Sequence, residues 1–214
     1  MDHLAAFITH TIATDPLPPP PRKLYEYVFA GNGIFLRAQR ENLTACIPHL
    51  LTPIEGLPHL QPHITLNGPP IPKDIMTDIF SEAITAWKNP GEPLEALFHC
   101  TYTHTWSLTI PEQIRTPTSV RCRNPFAPSS NSCLIEIHSH HEMPAFFSSM
   151  DDEDETGFRI YGVIGNLCQT PQILFRIGIY GHFSYIPVDT IADLPPGLID
   201  AFAATDLDTI NQTD

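Results

Sequence analysis

Residues 138–151 read HSHHEMPAFFSSMD, and they set two histidines and a carboxylate where one metal ion could take all three. His138 and His140 are two positions apart. On a β-strand such residues share a face, so both imidazoles reach the same side. Asp151 follows His140 by eleven positions, enough chain for a loop to turn back and begin a helix. The dipole of that helix favours the anionic form of a carboxylate in its first turn. Two histidines and one carboxylate are the three-ligand set of an open catalytic zinc site, with the fourth position left to water. Zinc lowers the pKa of such a water to about 7, which makes hydroxide available at neutral pH. Ser148, three positions before Asp151, adds a hydroxyl to the group.

The histidine pair needs a strand, and Cys133–Ile137 is a compact β-prone run leading directly into it. Met150–Thr156 predicts the start of a helix. Phe158–Ile164 and Ile173–Tyr180 predict two more strands, joined through 166–171. Upstream, Lys73–Trp87 predicts an amphipathic helix: Ile75, Ile79, Ala83 and Trp87 repeat at i, i+4, with Met76, Phe80 and Ile84 beside them. Pro72 suits its first turn and Asn89-Pro90-Gly91 ends it. Leu94–Leu108 alternates as one or more strands, and 124–131 reads as a loop. Nearer the start, Leu4–Ile12 predicts a short helix, broken by Pro16–Pro21 in polyproline II. Tyr25–Phe29 and Ile34–Ala38 predict a hairpin, with Gly31-Asn32-Gly33 supplying positive φ at the turn. Thr44–Leu51 adds a strand, and 56–72 reads as a Pro-rich connector. Pro195-Pro196 breaks the chain before a short helix or loose tail. Elements mixed in this order, rather than strictly alternating, predict an α+β or mixed α/β fold. The chain divides into an N-terminal β-hairpin-containing extension (1–69), a main domain (70–190) and a tail (191–214).

The composition narrows the function classes. Hydrophobic residues make up 42% and charged residues 16%, enough for a buried core in one domain with an extension. Eleven Lys and Arg against a net charge of −13 argue against nucleic acid as a partner, because duplex binding needs clustered cations. The same charge argues against anionic membranes, and no apolar run approaches the roughly 20 residues of a bilayer span. Five cysteines, an odd number without CxxC spacing, predict free thiols in a reducing compartment. With no signal-peptide pattern, the expected location is cytoplasmic.

The spacing His138-Ser139-His140, seven residues, Ser148, two residues, Asp151 resembles the JAMM motif, HS/THx7SxxD, of the JAB/MPN+ metallopeptidases. The resemblance spans roughly 70–185. It implies a cytidine-deaminase-like central mixed sheet flanked by helices, one Zn2+ per chain on His138, His140 and Asp151, and hydrolysis of an amide or isopeptide bond by metal-activated water. It also implies an upstream Glu in a P-x-E context as general base. Pro93-Leu94-Glu95 fits best, with Glu92 and Glu136 as competitors. Ser148 takes the role of oxyanion stabiliser. Two positions depart from the family: no glycine follows Glu95, and His141 stands where a proline is usual. As the next strand residue His141 points away from the metal, where it is free to meet substrate. Asp152–Glu155 reads as a solvated acidic helix start, or as a patch for a basic substrate tail.

More narrowly, the hairpin YEYVFAGNGIF (25–35), the Pro-rich connector and the JAMM segment resemble, in order, the protein A family of PRTRC systems. That resemblance implies a ubiquitin-like protein or its conjugates as substrate. ThiF-like and ubiquitin-conjugating-enzyme-like proteins are the implied partners. Two other readings stand beside it: an MPN-type protein-binding scaffold, and a zinc hydrolase acting on a small amide or peptide. The oligomeric state is left open.

Overall fold

The computed structural model describes residues 7–202. Its architecture is mixed α+β, with two large sheets, one long helix and two short ones. The long helix, α1 (Lys73–Trp87), has the predicted bounds. Met76, Ile79, Ala83 and Ala86 form its buried stripe, and Pro72 serves as N-cap rather than in the first turn.

The sheet behind the metal-ligand motif has seven strands. Its order is β13 (His182–Ile186), β12 (Gln172–Ile179), β11 (Phe158–Gly165), β10 (Ile135–Ser139), β6 (Leu97–Tyr102) and β7 (Trp106–Thr109), and β14 (Ile199–Asp200) pairs with β12. β10 and β11 are parallel while their other neighbours are antiparallel. Parallel neighbours need a crossover of a dozen or more residues, usually helical. Here that crossover is the segment from His140 to Gly157, and it carries α3 (Ser149–Asp154). One face of β10 buries Ile135 and Ile137 in the core with Met76, Ile79, Phe98 and Phe175. The other face bears Glu136 and His138.

The N-terminal sheet has the order β1 (Ile8–Ile12), β2 (Tyr25–Ala30), β3 (Gly33–Arg40), β4 (Leu43–Leu50) and β5 (His63–Leu66). Leu36, Ala38, Leu43, Ala45 and Ile47 belong to the same buried cluster as α1 and the larger sheet. Arg40 ties the two sheets together, its Nη1 donating to the carbonyls of Cys133 at 3.1 Å and Phe158 at 3.0 Å.

Several elements differ from expectation. Ile8–Ile12 is a strand, not a helix, because β-branched Ile8, Thr9, Thr11 and Ile12 suit a place beside β2. The rest of that expected helix, 4–6, lies outside the described residues, as does 203–214 of the tail. The expected connector contains β5, which closes the edge of β4. The loop 124–131 runs into α2 (Pro128–Ser132), and 111–130 also holds a small hairpin, β8 (Gln113–Arg115) and β9 (Val120–Cys122). At the first hairpin only Gly33 has a positive φ, 146°. Gly31 answers a different need: a Cβ there would lie 2.2 Å from the Leu57 carbonyl oxygen. All five cysteines are free, with Cys46, Cys100 and Cys133 buried. Among the described residues no helix is long and apolar enough to cross a membrane.

Candidate metal centre

His138 is the last but one residue of β10, and the amide of His140 donates to the Ile164 carbonyl at 2.7 Å, which prolongs the pairing with β11. The alternation of the strand therefore holds through His140, and both rings meet on one face. His138 Nε2 lies 3.2 Å from His140 Nε2 and 3.4 Å from Asp151 Oδ1. Ligand atoms of all three residues lie within 4.8 Å of one another. Two atoms bound tetrahedrally to one zinc at its usual bond lengths stand about 3.3 Å apart, so these donors fit a single ion. His140 Nδ1 lies 3.3 Å from the Pro144 carbonyl oxygen. That contact places the ring proton on Nδ1 and leaves the Nε2 lone pair toward the group. Burial pushes His138 down to about 4, against the opposing pull of Asp151, so the ring is neutral at pH 7 as a metal ligand must be. Burial lowers His140 as well.

The SxxD spacing has a local explanation. Ser148 is the N-cap of α3 and Asp151 its N3 residue, and the two form a capping box. The backbone N–H and the hydroxyl of Ser148 both donate to Asp151 Oδ2, at 2.6 and 2.7 Å, while Asp151 N–H donates back to Ser148 Oγ at 3.3 Å. Asp151 thus divides its oxygens: Oδ2 closes the helix cap, and Oδ1 faces His138. The one hydroxyl proton of Ser148 is directed at Asp151, so an oxyanion role requires that hydroxyl to turn. Gly165, at the end of β11, lets the intervening loop lie close. A Cβ there would be 2.4 Å from backbone atoms of Pro144 and Ala145.

Glu95 reaches this group from across the sheet. Leu97 pairs with His138 in the antiparallel β6–β10 register, and Ser139 N–H donates to the Ala96 carbonyl at 2.9 Å. Continued by two residues from the pair of Leu97 and His138, the register sets Glu95 opposite His140. Its backbone is clamped by the β8–β9 hairpin: Glu95 N–H donates to Thr116 O at 3.1 Å, and Arg115 Nε donates to Glu95 O at 2.6 Å. The side chain is buried, and loss of solvent, aided by the charge of Asp151, pushes its carboxyl up to about 8. Glu95, His138, His140, Ser148 and Asp151 line one cavity of about 60 Å³, with room for several water molecules.

The two competing glutamates lie differently. Glu92 is exposed in the connection before β6. Glu136 lines the cavity but is engaged elsewhere: Arg159 Nη1 donates to its Oε2 at 2.9 Å, and His99 Nε2 lies 3.3 Å from the same oxygen. Burial alone would raise Glu136, but His99 and Arg159 outweigh it and hold the carboxyl below its ordinary value. His99, Cys133 and Glu136 also have ligand atoms within 4.8 Å of one another. With Arg159 on the carboxylate, that group is built as a half-buried ion pair.

His141 does not line the cavity; its ring bonds to the backbone of Leu94. The acidic run is only partly solvated. Asp152 and buried Glu155 both pair with Arg176 of β12, a residue the motif did not reveal. A signal was present, since one arginine inside the otherwise apolar run ILFRIGI calls for a buried partner. Beyond the cavity, past Val120, Glu136 and Asp154, opens a larger cleft of about 570 Å³ under the β8–β9 hairpin. The chain matches no family model and no curated protein.

Proposed function

We propose that this protein is a zinc-dependent peptidase or isopeptidase of JAMM type, with a JAB/MPN-like domain built on the seven-stranded sheet. One observation carries the reading: three ligand atoms converge at single-ion spacing, and a buried glutamate of raised pKa shares their cavity. The residues fit the ion in number, type and protonation state. Zinc, when bound by His138, His140 and Asp151, supplies Lewis acidity and lowers the pKa of water. Glu95 performs the proton work: its carboxylate accepts the proton of the attacking water and then passes it to the departing amine. Burial raises the proton affinity of this carboxyl, and a divalent ion in the same cavity would draw it back toward the carboxylate that a base needs. Ser148 holds Asp151 in place and, if its hydroxyl turns, donates to the developing oxyanion.

The cavity is too small for a folded substrate, so the scissile bond must arrive on an extended chain, and the adjoining cleft offers the path. The C-terminal segment of a ubiquitin-like protein has that form. This reading, with its ThiF-like and ubiquitin-conjugating-enzyme-like partners, follows the PRTRC resemblance. Metal content tests the centre itself. Wild type is expected to carry about one zinc per chain, and His138→Ala and Asp151→Ala far less. Equal zinc in all three would remove the ligand assignment. With zinc established, hydrolysis of a C-terminally extended ubiquitin-like protein, lost in Glu95→Gln, separates an enzyme from a binding scaffold.

A further inference from the structure

The helix that presents Asp151 has no apolar face to hold it. α3 has six residues, and none is buried. A helix this short does not persist in water unaided. Its capping box fixes the local geometry but does not attach the helix to the sheet. Arg176 in β12 makes that attachment. Its side chain is nearly inaccessible, at 4% exposure. Nε donates to Glu155 Oε2 at 2.8 Å, Nη2 lies 2.6 Å from the same oxygen, and Nη1 donates to Asp152 Oδ1 at 2.5 Å. Asp152 directly follows the ligand, and Glu155 is the C-cap. The guanidinium is also stacked between Phe147, at 3.9 Å, and Phe183, at 3.7 Å. Phe147 immediately precedes the N-cap, and its ring is 6.1 Å from that of His138. One side chain therefore contacts the segment before, within and after α3.

We propose that Arg176 is the positioning residue of the metal centre, holding α3 so that Asp151 meets the ion shared with His138 and His140. The proposal rests on the zinc reading of the site. Only arginine suits the place: its planar fork bonds two carboxylates while its faces stack on two rings. The ammonium of lysine has neither the planar fork nor flat faces, so it cannot make both sets of contacts at once.

Metal affinity, not activity, tests this. Zinc dissociation constants are measured by competition with a chromophoric chelator for wild type, Arg176→Lys, Asp152→Asn and Arg37→Lys. Arg37 is a matched control, an equally buried arginine paired with Glu26 in the N-terminal sheet. Arg176→Lys is expected to weaken zinc binding by about 10- to 100-fold, the usual effect of losing a residue that orients a ligand. Asp152→Asn is expected to weaken it by about tenfold. Asp152 is 52% exposed, so this variant keeps its fold even where Arg176→Lys does not. Arg37→Lys should bind as wild type does. In the cobalt-loaded protein the visible absorption should change in both site variants and not in Arg37→Lys. Wild-type affinity in both site variants overturns the proposal, as does an equal loss in Arg37→Lys. A wild type that takes up no zinc overturns the metal reading, and the proposal with it.

Discussion

Glu95 is a carboxyl kept from water beside the charge of Asp151, and its proton is held up to about pH 8. In the unfolded chain the same group releases its proton near the ordinary glutamate value, about 4.3. Between these values the folded protein binds the extra proton, so stability falls as pH rises toward 8. His138 has the opposite sign. With its folded pKa pushed down to about 4, it costs stability as pH falls below about 6.5 and contributes nothing above. In protein stripped with a chelator, Tm should therefore decline from about pH 6.5 to about pH 8; Glu155, which burial also pushes up to about 8, shares that decline, and Glu95→Gln should make it shallower. Equal slopes in the two proteins would show that Glu95 is not the buried acid. The three candidate ligands were legible in the sequence because their geometry is local: two residues along a strand, three along a helix start. Glu95 came only through a resemblance, since its place depends on a strand pairing that no spacing reveals. Arg176 was not anticipated, because its partners lie 21 and 24 residues away.

At the scale of elements, the capping box of Ser148 and Asp151 links the folding of α3 to the candidate metal centre. Ser148→Ala removes the hydroxyl that caps the helix and steadies Asp151 Oδ2. It should cost about 1 kcal/mol of stability in urea unfolding. It should also weaken zinc binding by about tenfold, with Ser148→Thr near wild type. An alanine variant that binds zinc as wild type does would separate the cap from the metal site. α1 was readable from end to end because fifteen residues repeat one amphipathic period. Strands of three to five residues, such as β5, β8, β9 and β13, carry too few alternations to stand out. Their partners define them instead. β1 misled because an apolar stretch that short fits either period.

At the scale of the molecule, the N-terminal sheet is bound into the core rather than appended to it. Five of its side chains share the cluster of α1 and the larger sheet, and Arg40 bonds carbonyls 93 and 118 residues further along the chain. Urea unfolding should therefore show one transition, coincident by far-ultraviolet circular dichroism and by fluorescence of Trp87 and Trp106. Arg40→Met should lower stability by about 1.5–3 kcal/mol, because charged donors are removed from two carbonyls. Two separated transitions would mean that the sheets fold independently. The sequence suggested an extension here because the joining residues are apolar ones in strands whose alternation names no partner.

The pairing of Leu97 with His138 has a further consequence. Side chains along a strand alternate between faces, so the placing of Glu95 beside His138 and His140 has parity. Sliding β6 by two residues against β10 keeps its alternation in phase, whereas sliding it by one sends Glu95 to the far side of the sheet. Deleting a single residue between Ala96 and Cys100 should thus remove Glu95 from the cavity, and with it any activity of the proposed kind, even if the fold survives. Lengthening the exposed connection around Gly91 should be silent. The length of that connection can vary freely, whereas β6 can change length only in even steps if Glu95 is to stay beside His138 and His140.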